Sequence, residues 1–344
     1  MLAAHYVTCW VRHLTATERV ANAIDAVLEA SVVGSFSKLG PAVRRRIYHW
    51  AETEMATLSG RTAVVTGATS GLGLAAAEQF ARAGARVVFV ARDLARAERT
   101  RDEMATRTGN SALSVVVCDV GDLESVKRCA VTLRAVGEIH IVVHNAGALT
   151  RSFTTTNQGL ELTTAVHLVG PYLLTKLIEP VLVASRARVI WVTSGGMYAE
   201  PLDLDWLASP SPNYNGVKAY AKVKRAQVAL VERWAPELAL RGVTMTVMHP
   251  GWVDTPGLRQ SLPTFGRIVR PLLRTIPEGV DTVAWLATAP EDVVLPGTLW
   301  LDRRVRSPHR LARTRHSDTP ERRASLWSFC QRSAGLDQSV QGST

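Results

Sequence analysis

Cysteine is scarce in this chain and is not arranged for metal binding or for a disulfide framework. The 344 residues include four cysteines, Cys9, Cys118, Cys129 and Cys330, and none of them belongs to a Cys-x-x-Cys pair. Zinc sites and disulfide-rich scaffolds need clustered or paired cysteines, whereas scattered thiols are typical of proteins kept in a reducing compartment. We therefore expect no metal site and a cytoplasmic protein.

Long apolar runs are also missing. No stretch of 18 apolar residues occurs, so the sequence predicts no transmembrane helix. Near the N-terminus, Arg12, His13, Glu18 and Arg19 interrupt what would be the apolar core of a signal peptide. We find no internal repeat and no long low-complexity tract, so the chain is most simply one large domain with added ends.

Acidic residues are outnumbered, 30 against 40 lysines and arginines, which gives a net charge of +10. Much of the excess is local, at Arg44–Arg46 and in a series of arginines between Arg303 and Arg323. Basic clusters can bind nucleic acids or anionic membranes, but they are more often solvated surface. No nucleic-acid module is recognisable, and the basic tail has few aromatic residues for base stacking. We therefore expect solvated arginines and no nucleic-acid partner.

Short apolar segments alternate with helical stretches over most of the chain. The predicted strands cover residues 62–66, 86–91, 114–118, 139–144, 188–193, 243–248 and 297–301. Six of them lie between helical segments, which is typical of a doubly wound α/β fold with a parallel sheet covered on both faces. We divide the chain into a helical N-terminal extension (1–58), one large α/β domain (59–302) and a basic C-terminal extension (303–344).

A glycine-rich turn joins the first predicted strand to the helix that follows it. Its sequence is Thr66-Gly67-Ala68-Thr69-Ser70-Gly71-Leu72-Gly73. Glycines at such a turn let backbone N–H groups and the helix N-terminus approach a diphosphate, which side chains would block. The turn alone is weak evidence, because glycines also close ordinary turns. The candidate dinucleotide-binding residues are Gly67, Thr69, Ser70, Gly71, Leu72 and Gly73.

Three side chains downstream of this turn suit proton transfer to a carbonyl oxygen. Tyr220 and Lys224 are four residues apart in a predicted helix and therefore share one face. A lysine ammonium beside a phenol favours the phenolate, so the tyrosine could exchange a proton near neutral pH. Ser194 follows a predicted strand, and its hydroxyl could bind a substrate carbonyl. We take these three residues as catalytic candidates.

With these features in order, the chain resembles the short-chain dehydrogenase/reductase superfamily, whose fold is a Rossmann-type doubly wound sheet. The matching residues span roughly residues 60 to 300 and are the glycine-rich turn, Asp119, Asn145-Ala146-Gly147, Ser194, Tyr220 with Lys224, and Pro250-Gly251. The resemblance implies an oxidoreductase with a nicotinamide cofactor, assembled as a homodimer or homotetramer. A finer likeness, to the branch named dehydrogenase/reductase member 12, lies in segments 194–197, 232–235 and 249–257.

The resemblance also implies individual roles. Tyr220 would be the acid/base, Ser194 would orient the carbonyl, and Lys224 would hold the nicotinamide ribose and lower the pKa of the phenol. The cofactor would further contact Asp119 and Val120 at the adenine, Asn145, Ala146 and Gly147 as a floor, and Pro250, Gly251, Val253 and Thr255 beside the nicotinamide.

One position departs from the superfamily pattern. The fourth catalytic residue of the family is an asparagine that positions a water in a proton relay, and its place falls on His167 in this chain. Histidine offers a donor and an acceptor and titrates near physiological pH. His167 either rebuilds the relay or is a histidine without a chemical role, and the sequence leaves both open.

The residues after the second strand bear on the choice of cofactor. NAD sites usually place an acid at this strand end to bind the ribose 2′-hydroxyl, but here the strand ends in Ala91-Arg92-Asp93. By the family pattern, Ala91 takes the place of that acid and Arg92 the place that binds a 2′-phosphate. We favour NADP(H), and NAD(H) stays possible because a shift of one residue would make Asp93 the acid.

The two ends and the substrate side are less informative. In Thr15–Trp50, apolar residues follow one helical face and a basic, aromatic stretch ends the segment, which suits either a membrane surface or an arm packed on the protein. Residues 255–278 correspond to the family's substrate lid and mix apolar side chains with Arg259, Arg267, Arg270 and Arg274, which favours a lipophilic substrate. The expected pocket wall between Tyr198 and Asn215 offers Leu204, Trp206, Leu207 and Tyr214 as substrate contacts.

The sequence thus predicts an NADP(H)-dependent oxidoreductase that interconverts a carbonyl and an alcohol on a lipophilic substrate. The alternative is an NADP(H)-binding regulatory protein or sensor with little turnover, which the departure at His167 motivates. A third and weaker interpretation is a scaffold at a membrane surface.

Overall fold

The protein is built on one central sheet, seen in a computed structural model that describes residues 15–50, 56–210, 213–261 and 263–337. The strands are β1 (Thr62–Thr66), β2 (Arg86–Ala91), β3 (Leu113–Val117), β4 (Ile141–His144), β5 (Arg188–Val192), β6 (Thr244–Met248), β7 (Leu299–Leu301) and β8 (Arg304–Arg306). Their order is β3-β2-β1-β4-β5-β6-β7-β8, and neighbours are parallel except β7 and β8. The predicted doubly wound α/β fold is confirmed.

Helices cover both faces of this sheet. The main covering helices are α4 (Gly71–Arg82), α5 (Leu94–Thr108), α6 (Leu123–Ala135), α8 (Gly170–Ala184), α10 (Gly216–Ala239) and α13 (Ile276–Thr288). Side chains alternate between the two faces of a strand, so Val64 enters the core beneath α6, α8 and α10, whereas Val65 enters the core beneath α4 and α13. Because both faces are buried, the strands read as almost continuous apolar runs.

The remaining helices connect and extend this framework. They are α1 (Ala16–Ala30), α2 (Val32–Phe36), α3 (Leu39–Ile47), α7 (Leu162–Thr164), α9 (Leu204–Ala208), α11 (Pro256–Ser261), α12 (Pro263–Val269), α14 (Ala312–His316) and α15 (Pro320–Ser333). A π-helical turn, Ala165–Val169, joins α7 to α8, and 3-10 turns cover Gly195–Tyr198 and Arg270–Leu272.

All seven predicted strands are present; β1 and β2 have the predicted boundaries, and those of the other five are shifted by one or two residues. β8 was not predicted, because Arg304-Val305-Arg306 is short and polar. It pairs with β7 through a two-residue turn in which Asp302 and Arg303 have φ values of 52° and 56°. Two successive residues with positive φ are typical of the tight hairpin turns whose twist matches that of paired strands.

The described part of the N-terminal extension, residues 15–50, is an arm that packs on its own domain; the residues before it, Cys9 among them, lie outside the described residues. Thr15 and Glu18 form a capping box at the start of α1. Arg44 in α3 is fully buried and pairs with Asp302 at 2.5 Å. The expectation of solvated arginines is therefore wrong for Arg44, and also for Arg306, which is 8% exposed.

The C-terminal extension also packs on the domain. Leu326 and Cys330 of α15 are fully buried in the main core, and the Trp327 ring lies 5.3 Å from the ring of Trp234 in α10. Two aromatic side chains of the arm, Tyr48 and Trp50, carry arginines of this extension 4.1 Å and 4.7 Å from their ring centroids. The described parts of the two extensions thus contact each other.

One described stretch, Leu162–Ala184, is long and apolar enough to cross a membrane by length and composition alone. Seventy-two per cent of its apolar 18-residue part is buried inside the protein. Leu173, Leu174 and Ile178, for example, are fully buried in the core. This stretch is accordingly a core helix of the fold.

Candidate active site

The glycine-rich turn joins β1 to α4 at the carboxyl edge of the sheet. Gly67 and Gly71 have φ values of 68° and 56°, a region that glycine adopts without strain. A Cβ placed on Gly73 would overlap the Asn145 side-chain amide and the Gly67 carbonyl. A Cβ placed on Gly67 would lie 2.9 Å from the Cα of Ala146. Only glycine fits at positions 67 and 73, which leaves bare backbone where a diphosphate could approach.

Asn145 and Ala146 hold the turn in place from the neighbouring strand. The Thr66 hydroxyl accepts hydrogen bonds of 3.0 Å from the backbone N–H groups of both residues. The side-chain amide of Asn145 donates to the Thr66 carbonyl at 3.0 Å. The structure therefore gives Asn145 a supporting task, and the expected floor under a cofactor is formed by backbone that this residue fixes.

The three catalytic candidates come together at the ends of β5 and α10. Asn215 caps α10 by accepting from the Lys218 N–H at 3.1 Å, which sets Tyr220 and Lys224 on successive turns. The Ser194 side chain lies beside Tyr220. The Lys224 ammonium donates to the Val192 carbonyl at 2.9 Å and lies 5.4 Å from the centre of the Tyr220 ring. The predicted constellation of side chains is thus assembled.

The acidity of this group differs from the expectation. Burial raises the pKa of Tyr220, and the neighbouring Ser194 side chain acts in the opposite direction. Burial also lowers the pKa of Lys224 to about 7. The expected lowering of the phenol's pKa by Lys224 is therefore wrong for this structure, because desolvation disfavours both charged forms.

His167 lies on the π-helical turn and faces Tyr220, with ring centres 5.2 Å apart and planes at 87°. Its Nε2 is 2.8 Å from the Ala148 carbonyl and 3.1 Å from the Ala148 N–H, so the ring tautomer decides which of the two it binds. The buried Nδ1 has no hydrogen-bond partner among the described residues. Burial and then the charge of Lys224 lower the pKa of His167 well below its ordinary value, so the imidazole is neutral.

The backbone of His167 is also engaged. The Gln227 amide donates to its carbonyl at 2.6 Å. A Cβ on Gly147 would come within 2.6 Å of the His167 ring, so glycine is needed there for the imidazole to fit. The relay position is thus occupied by a tightly packed neutral ring.

On the adenine side, Asp119 and Val120 follow β3. The Asp119 carboxylate accepts from the Gly121 N–H at 2.8 Å, which shapes the loop, and Val120 is 7% exposed. Arg92 is exposed at the end of β2. Asp93 caps α5 by accepting from the Arg96 N–H at 3.0 Å.

Sequence reasoning missed Arg96, whose guanidinium donates to the Thr69 carbonyl in the glycine-rich turn at 3.3 Å. No sequence signal marks Arg96 among the several arginines of α5. Ser70 is the N-terminal flanking residue of α4, and Leu72 packs against the core beneath that helix.

On the other side, Pro250 and Gly251 follow β6, and Gly251 has a φ of 76°. Val253 is buried and pairs with Arg274 as an isolated parallel bridge. The Thr255 side chain would lie 3.8 Å from a Cβ on Gly71, so the structure brings this residue to the glycine-rich turn. The Thr255 hydroxyl accepts from the Leu258 N–H at 3.2 Å and starts α11.

The lid is less available to a substrate than its sequence indicates. Arg274 is 1% exposed and bound to Asp302, and Arg259 forms two 2.7 Å hydrogen bonds with Asp254. Among the apolar residues of the lid, Ile268 is 75% exposed, whereas the side chains of Leu262 and Phe265 lie outside the described residues.

The expected pocket wall also differs in detail. Leu207 is buried in the core, so it is wrong as a substrate contact. The Tyr214 hydroxyl donates to Glu161 at 2.8 Å and lies 2.9 Å from the Thr150 hydroxyl. Leu204 and Trp206 are half-buried and packed on the core.

Comparison with known proteins agrees with this geometry. The family model described as enoyl-(acyl carrier protein) reductase matches residues 67–284. "Dehydrogenase/reductase SDR family member 12" of Bos taurus is 37% identical over 262 residues, 76% of this chain and 82% of the relative. Retinol dehydrogenase 12 of Homo sapiens is 32% identical over 276 residues, 78% of this chain and 85% of the relative.

Solved structures show the same fold. One of them is assigned as an NAD(P)-dependent gluconate 5-dehydrogenase of Beutenbergia cavernae with NADP bound at low occupancy. It is 28% identical to this chain, has a TM-score of 0.60, and the match covers 72% of this chain and 96% of that chain. The fold and the Ser–Tyr–Lys group together define an NAD(P)-dependent oxidoreductase. The chain belongs to the short-chain dehydrogenase/reductase family.

Proposed function

We propose that this chain is an NADP(H)-dependent oxidoreductase that interconverts a carbonyl and an alcohol on a lipophilic substrate, with Tyr220 as its acid/base. The observation that carries the proposal is the grouping of Ser194, Tyr220 and Lys224, with the Lys224 ammonium 5.4 Å from the centre of the Tyr220 ring, on the same sheet edge as the glycine-rich turn. Gly67 and Gly73 are packed so closely against Asn145 and Ala146 that a Cβ at either position would overlap them. A tight glycine-rich turn between a strand and a helix is the form of backbone that binds a dinucleotide diphosphate.

When bound, the nicotinamide would supply the hydride. The chain's own residues would bind the cofactor, orient the substrate carbonyl and deliver the proton. In the reductive direction, the Tyr220 hydroxyl gives its proton to the carbonyl oxygen while the Ser194 hydroxyl donates a hydrogen bond to that oxygen. Lys224 has three N–H donors and uses one of them on Val192, so others remain for a ribose hydroxyl. The negative charge of a bound dinucleotide favours the ammonium form of Lys224.

The preference for NADP(H) is supported by the end of β2. Arg92 is exposed there, beside Ala91 where an acid would favour NAD(H). The carboxylate of Asp93, the rival acid, already binds the Arg96 N–H as a helix cap. A cap is part of the helix start, so moving Asp93 to a ribose would cost α5 that hydrogen bond.

The alternative is an NADP(H)-binding sensor, which the neutral, tightly packed His167 in the relay position favours. A sensor would bind NADPH and turn over no substrate. Such a protein has no need for the assembled Ser194, Tyr220 and Lys224, so we rank it second. Binding without turnover would favour it and would make His167→Asn the next variant to measure.

Turnover is tested by following NADPH absorbance with a panel of lipophilic aldehydes and ketones. Tyr220→Phe should lower kcat by a factor of about 10² to 10⁴, the usual contribution of a general acid, and should leave NADPH binding intact. Tyr172→Phe is the matched control, because Tyr172 is a buried tyrosine of α8 whose hydroxyl has no partner among the described residues. Full activity of Tyr220→Phe would refute the proposed mechanism.

A further inference from the structure

Phe36 belongs to the N-terminal arm, yet it lies between the two loops that leave β5 and β6. It is 2% exposed. A Cβ placed on Gly195, the residue after Ser194, would come within 2.6 Å of the Phe36 ring. A Cβ placed on Gly251 would come within 2.6 Å of the Phe36 carbonyl. One residue of the arm thus contacts both the Ser194 loop and the Pro250–Gly251 loop.

The backbone and the ring of Phe36 both hold the loop after β6. The Phe36 carbonyl accepts from the Trp252 N–H at 2.8 Å. The edge of the ring meets the His249 ring, with centres 4.6 Å apart. His249 Nδ1 in turn accepts from the Gly251 N–H at 3.3 Å, which fixes a residue whose φ is 76°. The conformation of this loop therefore depends on Phe36.

A buried arginine–aspartate cluster holds Phe36 where it is. Arg274 donates to the Phe36 carbonyl at 3.0 Å and to Asp302 at 2.6 Å. Arg44 of the arm binds the other oxygen of Asp302 at 2.5 Å and Asp25 of the arm at 2.7 Å. These four charged side chains are at most 5% exposed. Charges this deeply buried are stable only when paired, so the cluster specifies how the arm docks.

The cluster joins segments that are far apart in the chain. Its members come from α1, α3, the end of the lid and the β7–β8 turn, and Arg306 of β8 adds a 2.8 Å ion pair to Asp25. Burial alone would raise the pKa of Asp25, but hydrogen bonds and charge from Arg306 and Arg44 hold it below its usual value. The carboxylate is therefore charged at neutral pH and keeps the arm in place.

We propose that Phe36 is a positioning residue for the nicotinamide half of the site, so that the arm is part of the active site. The inference rests on the proposed function, in which the nicotinamide lies beside Pro250 and Gly251. Loss of the Phe36 ring would let both loops shift, and the nicotinamide would lose its support. The adenine half, built from the glycine-rich turn and the ends of β2 and β3, does not contact Phe36 in any of these interactions and would be unaffected.

The test compares two ligands that differ in the nicotinamide. NADPH carries it, and 2′,5′-ADP carries only adenosine with its 2′- and 5′-phosphates, without the second bridging phosphate, the nicotinamide ribose and the nicotinamide. Both are titrated against the full chain and its Phe36→Leu and Phe36→Met variants by calorimetry. Phe80→Leu is the matched control, since Phe80 is a fully buried phenylalanine of α4 in the other core. Thermal unfolding of every variant monitors general destabilisation.

We expect Phe36→Leu to weaken NADPH binding about tenfold, because a smaller side chain leaves the two loops less well packed, with no change for 2′,5′-ADP. Phe80→Leu should leave the ratio of the two affinities as in the wild type. An unchanged ratio in Phe36→Leu, or in Phe36→Met if the leucine variant does not fold, would overturn the inference. Failure of the wild type to bind NADPH would instead overturn the proposed function and the inference with it, and that outcome is visible without any variant.

Discussion

The two halves of the candidate site are built by different means. The diphosphate side is a turn of consecutive residues in which the absence of side chains matters, at Gly67 and Gly73 above all. The catalytic side is assembled from the ends of β5 and β6, α10 and the arm, and buried charges fix its outer part. The residues of the first half are consecutive in the sequence and those of the second are not. This difference determines whether each half can be recognised from the sequence, and which substitutions should weaken it.

Substitution of Asp302 should have the largest effect on the catalytic side, measured as a loss of stability. It is shared by Arg44 and Arg274, which are 0% and 1% exposed, so Asp302→Ala leaves two buried guanidinium groups short of a partner. We expect a loss of about 3–5 kcal/mol in the free energy of unfolding, measured by urea titration. The control is Glu291→Ala, which breaks an exposed pair with Arg186 at 3.8 Å and should cost less than about 1 kcal/mol. Equal losses would mean that the cluster does not hold the arm.

Gly73→Ala should damage the diphosphate side instead. The added methyl would overlap the Asn145 amide and the Gly67 carbonyl, so the turn must move. We expect NADPH and 2′,5′-ADP to lose affinity alike, by about 100-fold if the displacement costs up to 3 kcal/mol. Gly257→Ala is the control, because a Cβ there meets nothing within 4 Å. A loss confined to NADPH would contradict the division into two halves.

Arg92→Ala should have the smallest effect. It tests whether the adenine side distinguishes NADPH from NADH. Removing a guanidinium that binds a 2′-phosphate should weaken NADPH about tenfold and leave NADH nearly unchanged. Arg99→Ala removes another exposed arginine, on α5, and serves as the control. If NADPH and NADH lose affinity equally, the end of β2 has been misinterpreted.

The same division explains what the sequence could predict. The strands were visible because both of their faces are buried, and the glycine-rich turn because its residues are consecutive. Tyr220 and Lys224 were recognisable because four residues make one helical turn. Each of these signals lies within a short window of the chain.

The features that the sequence did not reveal depend on contacts between residues far apart in the chain. Arg44 reads as a surface residue in a run of three arginines, and only its contact with Asp302, 258 residues away, makes it a buried one. Phe36 carries no motif, and its importance follows from Gly195 and Gly251 lying against it. β8 was not predicted because two of its three residues are arginines, which do not resemble a buried strand. Its pairing with β7 is set by the turn at Asp302.

The most direct test of the account is equilibrium titration of the wild-type chain and Tyr220→Phe with NADPH and NADH. The account predicts saturable binding of both nucleotides, tighter for NADPH, and the same affinities in the variant because Tyr220 acts on the substrate. Absence of saturable binding for either nucleotide would contradict the central claim that this sheet edge is a dinucleotide site.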